Sequence, residues 1–216
     1  MADLTDPHVA QQWKEQAEAG ISALALKHCA VKIERLKQFV IFLQRWNRAY
    51  NLTAHQDAFA ILSYHILDSL ALAPHIHGER ILDVGTGGGF PGVPLAIWFP
   101  KKKFVLLDAN GKKVRFLVQA IADLNFENVT CVKARMENFQ YEKTFDIITS
   151  RAVKDMHVIA EQTTAVLHPN GQWLFMKGAD LADQLTALTL PHRVFNITVP
   201  GIAQQRHVVQ VQPTGE

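Results

Sequence analysis

The amino-acid sequence predicts one α/β domain whose mostly parallel sheet is covered by helices on both faces and preceded by a helical extension. Three observations carry that prediction. Residues 6–73 place apolar side chains three and four apart with no strand-like alternation, the pattern of amphipathic helices. From Arg80 onward, short apolar runs alternate with helical stretches, as repeated βαβ units require. Residues 192–199 and 205–212 are two β-branched runs joined through Pro200-Gly201, which reads as an antiparallel hairpin closing the sheet.

In the first part, Ile33, Leu36, Phe39, Val40, Leu43 and Trp46 line one helical face. A further helical run covers residues 58–72, entered through residues 53–57 and ended at Pro74, so three helices with short turns are expected. Strands are predicted at 80–84, 104–107, 129–132, 145–149 and 172–176, and the hairpin brings the sheet to seven strands. Helices near 93–99, 112–124 and 154–167 separate them. The whole chain, 1–216, reads as a single domain, with a helical extension over 1–78 and an α/β core over 79–216.

Composition narrows the class. With 48% hydrophobic and 19% charged residues, the chain resembles an ordinary globular protein. No apolar run approaches the roughly 18 residues a membrane helix needs. Residues 1–18 lack the basic start and apolar core of a secretory signal. Cys29 and Cys131 are expected as buried free thiols rather than a disulfide, so a cytoplasmic protein is expected. A net charge of +2 permits a nucleic-acid partner without arguing for one. His75 and His77 lack a third ligand nearby, and no other metal spacing occurs, so no metal is expected.

The strongest local signal is Ile81-Leu82-Asp83-Val84-Gly85-Thr86-Gly87-Gly88-Gly89-Phe90-Pro91-Gly92, a buried strand running into a glycine-rich turn and a helix, with Pro91 expected in its first turn. Glycines let a ligand approach the main chain without a Cβ in the way. Gly87, Gly89 and Gly92 satisfy the dinucleotide spacing of Rossmann-like folds, and Asp108 follows at a suitable interval. Asp83 separates two ligands. A carboxylate there suits the cationic methionine end of S-adenosylmethionine and would repel a pyrophosphate. Asp108 ends the second strand, where it is suited to ribose hydroxyls or to capping the next helix. Met136 and Glu137, after the third strand, are suited to an adenine ring and its edge, or to packing and solvent. Arg151 ends the fourth strand as a cleft arginine for a phosphate or carboxylate, or as half of a surface ion pair. No Asp/Asn-Pro-Pro-aromatic segment follows, which argues against an exocyclic amine as methyl acceptor.

Several pieces then fall in a specific order: Trp46-Asn47-Arg48-Ala49-Tyr50-Asn51-Leu52-Thr53, His65-Ile66-Leu67-Asp68-Ser69, the glycine loop, Leu107-Asp108 with Lys112, Arg115-Phe116-Leu117, Arg135-Met136-Glu137, Phe145-Asp146, Ser150-Arg151-Ala152 and Lys177-Gly178. Together they resemble the RsmG (GidB) family of bacterial 16S ribosomal RNA guanine-N7 methyltransferases, over nearly all of the chain from about residue 35. The resemblance implies a class I methyltransferase fold that binds S-adenosylmethionine. It places Gly85 and Phe90 at the methionine end, Met136 and Glu137 around the adenosine, and Arg151 with Arg135 at the active cleft. Lys113 stands where the family usually has Arg, Gly88 where it has Ala or Pro, and Met136 where it has Ala or Val.

The reaction so implied methylates guanine N7 in 16S ribosomal RNA or the 30S subunit. N7 carries an in-plane lone pair and no proton, so no general base is required, and Arg151 is the one residue expected at the chemistry. The cofactor site is expected to comprise Asp83, Gly85, Gly87, Phe90, Asp108, Met136, Glu137 and Arg151. Lys112, Lys113, Arg135, Lys154 and Lys177 are expected to contact RNA phosphates. Lys101, Lys102 and Lys103 begin the second strand, at the opposite edge, and read as a solvated turn. His65 and Asp68 share one helical face and either anchor the extension to the sheet or place the guanine. An NAD-dependent oxidoreductase, a methyltransferase on another RNA, and a non-catalytic RNA-binding module are the alternative readings.

Overall fold

The computed structural model describes residues 2–151, 155–179 and 181–214. The extension begins with α1 (Pro7–Ala23), whose first amides, those of His8 and Val9, are capped by the Asp6 carboxylate with Pro7 in the first turn. Next comes α2 (Ala30–Tyr50), which stops at Asn51 in the left-handed region, φ 50°. The third helical run is one continuous rod with an irregular middle: α3 (Ala58–Ile61), a π-helical turn (Leu62–Leu67) and α4 (Asp68–Leu70).

The sheet has seven strands in the order β3-β2-β1-β4-β5-β7-β6. These are β1 (Arg80–Val84), β2 (Lys103–Asp108), β3 (Val129–Lys133), β4 (Phe145–Arg151), β5 (Leu167–Lys177), β6 (His192–Ile197) and β7 (Arg206–Val211). The first five pair in parallel; β7 runs antiparallel to both β5 and β6. The connecting helices are α5 (Gly92–Trp98), α6 (Gly111–Asp123), α7 (Met156–Thr163) and a short α8 (Ala182–Thr186) that the apolar periodicity does not announce.

Strand alternation sorts the core into two layers. Ile81, Phe104, Leu106, Ile147, Leu174 and Val208 face the side covered by α2, α5 and α6, in one cluster with Trp13, Phe39 and Leu43 of the extension. Their neighbours Leu82, Val105, Leu107, Ile148, Phe175 and Val209 face the side covered by α7, with Met156 and Ile159. Each such side chain fully removed from water contributes about 1.5–3 kcal/mol, so the extension is held by the same apolar burial as the sheet. Trp13 adds a polar tie, donating from Nε1 to the Ala58 carbonyl at 3.1 Å.

Three local expectations are corrected. Pro91 precedes α5 as its N-cap rather than entering its first turn. Asp108 does not cap α6; Asn110 does, accepting from the Lys112 and Lys113 amides. Cys29 and Cys131 are free but half-buried rather than enclosed.

Candidate active site

The parallel strands all end on one side of the sheet, and those predicted residues that the structure describes lie at or just after these ends. At the end of β1 the Gly85 and Thr86 amides donate to the Leu107 carbonyl at 2.8 and 3.1 Å, holding the turn against β2. Gly85, Gly87 and Gly89 have φ of 68°, 61° and 92°, a region that L-residues rarely adopt. Gly92 is required for a different reason: a Cβ there would stand 2.3 Å from Leu106 Cδ2 and 2.7 Å from Asp83 Oδ2. The extension touches the turn as well, since the Leu52 carbonyl lies 3.6 Å from where a Cβ on Gly88 would stand.

Two carboxylates frame the turn. Asp83 is fully buried; its Oδ2 accepts from Thr86 Oγ1 at 2.6 Å and from the Gly92 amide at 2.8 Å. Its Oδ1 has no hydrogen-bond partner among the described residues. Burial pushes this carboxyl up to about 6, against the pull of Thr86, Gly92 and Arg151. Asp108, 7% exposed, accepts from the Gly87 amide at 2.9 Å through Oδ2 and from the Asn110 amide at 2.8 Å through Oδ1. Both carboxylates therefore grip the loop that separates them.

Arg151, at the end of β4, is the centre of a second cluster. Its Nη1 donates to Asp68 Oδ2 and to the Tyr64 carbonyl, both at 3.1 Å, and its Nη2 lies 3.0 Å from His65 Nδ1. The guanidinium sits over the Phe90 ring at 5.1 Å, and His65 stacks on that ring at 4.6 Å. Asp68, 4% exposed, is shared: its Oδ1 accepts from Arg206 Nε at 3.2 Å. Burial lowers the Arg151 pKa despite the attraction of Asp68. His65 is pushed down to about 3 by burial, with Arg151 and His55 adding to it. The expected ion pair of Arg151 thus exists with a buried carboxylate rather than at the surface. His65 and Asp68 do anchor the extension to the sheet, and they do so through Arg151.

The remaining predicted residues ring these clusters. Met136 and Glu137 form a short 3-10 turn after β3, Met136 half-buried and Glu137 exposed. Arg135 is exposed and 4.0 Å from Glu137. Lys112 is exposed at the start of α6, and the Lys113 ammonium hangs over the turn, 3.8 Å from where a Cβ on Gly87 would stand. Lys177 is buried, 7% exposed, with its pKa lowered by that burial. Lys154 lies outside the described residues. No cluster of three or more His, Cys, Asp or Glu side chains suited to a metal occurs among the described residues. No helix among them is long and apolar enough to cross a membrane.

Sequence reasoning missed Thr53 as a site residue and missed Arg206 altogether. Thr53 was visible only as part of Asn51-Leu52-Thr53. Arg206 opens β7, 138 residues from Asp68, with no local signal to mark it.

A 3-2-1-4-5-7-6 sheet with a glycine turn after its central β1 and an acidic residue ending β2 defines the class I methyltransferase fold. Solved structures agree at the level of fold. A SAM-dependent methyltransferase from Aquifex aeolicus aligns with TM-score 0.55 at 16% identity, over 70% of this chain and 92% of its own. A SAM-dependent O-methyltransferase from Thermotoga maritima gives TM-score 0.55 at 18% identity, over 69% and 66%. The family model described as rRNA small subunit methyltransferase G, GidB, matches residues 32–209. A protein of Coxiella burnetii (strain RSA 493 / Nine Mile phase I) named ribosomal RNA small subunit methyltransferase G is 42% identical over 198 residues, 92% of this chain and 97% of that protein. Its namesake in Pseudomonas putida (strain GB-1) is 43% identical over 206 residues, 93% and 95%. The chain belongs to the GidB family.

Proposed function

We propose that this protein transfers a methyl group from S-adenosylmethionine to N7 of a guanine in 16S ribosomal RNA, with the RNA or the 30S subunit as substrate. One observation carries the reading. In a GidB-family chain, the glycine turn after β1 is framed by a buried carboxylate, Asp83, one oxygen of which has no partner among the described residues, and by Asp108 at the end of the adjacent strand.

The residues fit that cofactor. Gly85, Gly87 and Phe90 lie where its methionine end would rest, and the unpartnered Asp83 oxygen suits a cation. Asp108 suits the ribose hydroxyls, and Met136 with Glu137 the adenine. A pyrophosphate would instead meet the Asp83 charge, which disfavours the NAD reading. The cofactor supplies an electrophilic methyl group on a sulfonium.

This chain's residues have only to orient the partners, because guanine N7 presents its lone pair without losing a proton. Orientation of this kind supplies roughly 7–11 kcal/mol of a barrier. No base is needed, and the His65 imidazole beside Arg151 is already committed, its Nδ1 facing Arg151 Nη2 at 3.0 Å. Arg151 lies at the end of β4 as a donor toward the substrate, held there by Asp68, which it shares with Arg206. Lys112, Lys113 and Arg135 contact RNA phosphates along the strand ends.

The test is methyl transfer from labelled S-adenosylmethionine to 16S RNA and to 30S subunits lacking the modification, with chemical mapping of the product. Label at one guanine, with the strand scission diagnostic of N7-methylguanine, is the expected result. Cofactor binding without label on either substrate would refute the ribosomal assignment.

A further inference from the structure

The cluster around Arg151 contains an imidazole whose hydrogen bonds leave it one tautomer. Arginine carries donors only, so His65 Nδ1, facing Arg151 Nη2 at 3.0 Å, is the acceptor and bears no proton. In a neutral ring the proton then sits on Nε2, which lies 2.5 Å from Thr53 Oγ1 and donates to it. The same threonine oxygen accepts from the His55 amide at 3.1 Å. Thr53 is itself pinned, for its amide donates to Asn47 Oδ1 at 2.9 Å and its carbonyl accepts from Asn47 Nδ2 at 3.0 Å. His65 stands in the π-helical turn Leu62–Leu67, an irregularity that redirects side chains and often marks functional sites.

The consequence falls on Arg151. A guanidinium has five N–H groups. Nη1 directs its two at Asp68 and the Tyr64 carbonyl, and Nη2 directs one at His65. What remains for substrate is Nε–H and a single Nη2–H, in an orientation set by three different residues of the extension. The charged or titratable side chains facing His65 are His55 and Arg151, with Asp68 on the far side of Arg151. A proton on Nδ1 would remove the acceptor and set a second cation against the guanidinium.

We infer that His65 is a positioning residue for Arg151: Thr53 anchors the ring through Nε2, and the bare Nδ1 fixes which two N–H groups the arginine offers the substrate. This rests on the cleft being the methyl-transfer site.

The test uses the full chain and four variants, Thr53→Val, Thr53→Ser, His65→Asn and His65→Ala, each checked for its melting temperature. In wild type, 15N NMR of the imidazole should show Nδ1 bare and Nε2 protonated, unchanged from about pH 8 to about pH 5. Thr53→Val should lower kcat by roughly tenfold or more, while KM for the RNA substrate and Kd for S-adenosylmethionine stay within about twofold. Thr53→Ser restores kcat. His65→Asn, which keeps an acceptor in place of Nδ1, retains more activity than His65→Ala. A wild-type kcat in folded Thr53→Val, or an Nδ1 that carries the proton, overturns the inference. Absence of methyl transfer by the wild type would refute the proposed reaction instead, and the tautomer measurement would still decide how Arg151 is held.

Discussion

Asp83→Asn separates what the buried carboxylate costs the fold from what it gives the cofactor. Both present hydrogen bonds converge on Oδ2, from Thr86 Oγ1 at 2.6 Å and the Gly92 amide at 2.8 Å. An asparagine with its carbonyl in that place keeps both and puts an amide where the partnerless Oδ1 stands. Burial raises the carboxyl from 3.8 to about 6, so the folded state favours the protonated acid. The stability this contributes is complete below the unfolded value and is lost as pH rises through about 6. At about 1.4 kcal/mol per pH unit the loss amounts to roughly 3 kcal/mol at neutral pH. The new amide, lacking an acceptor, costs about 1–3 kcal/mol at every pH. The substitution is therefore expected to destabilise the apo protein near pH 4 and to leave it unchanged or up to about 2 kcal/mol more stable near pH 7.5. Urea unfolding of both proteins at the two pH values measures the difference directly. Calorimetry should show the variant losing S-adenosylmethionine affinity by about tenfold or more, since a charge-assisted contact to the cation is gone. Wild-type affinity should rise with pH through about 6, because binding a cation favours the carboxylate. A stability difference that does not change with pH would refute the reasoning about burial. An unchanged cofactor affinity would remove Asp83 from the cofactor site.

Gly92→Ala places a Cβ 2.3 Å from Leu106 Cδ2, so it should cost about 1–3 kcal/mol in urea unfolding and weaken cofactor binding with it; wild-type stability would contradict the packing. Asp68→Asn leaves Arg151 and Arg206 facing each other without their shared charge. Both arginines are about one-fifth exposed, which softens the loss to about 2–3 kcal/mol, readable in the same unfolding assay and accompanied by a fall in kcat. Lys112→Ala should lower the slope of log affinity for RNA against log salt by about one, with cofactor binding unaffected; an unchanged slope would exclude a phosphate contact.

Much of the α/β core could be read from the chain because its signals are local. The β1 run Ile81-Leu82-Asp83-Val84, the glycines after it and the terminal hairpin each announce themselves within about ten residues. Which of the two roles open to Asp108 it takes beside α6 is not written locally, because that depends on where the helix begins. α6 begins at Gly111, so Asn110 stands at the capping position, while Asp108 closes β2 and accepts from the Gly87 amide, 21 residues away, and from the Asn110 amide. Local periodicity also missed α8, whose five residues are too short to show a period.

Short-range patterns encode the succession of strands and helices along the chain and the glycine turn, and the ordered pieces spread from Trp46 to Gly178 carry the family. The grip on Arg151 was decided only in three dimensions. Thr53, His65 and Asp68 come from the extension, Arg151 from β4 and Arg206 from β7, and their partners lie up to 138 residues apart. Apolar burial on one face of the sheet brings the extension against the strand ends, and a carboxylate enclosed there requires partners from whichever segments meet it. No spacing within the chain records that meeting.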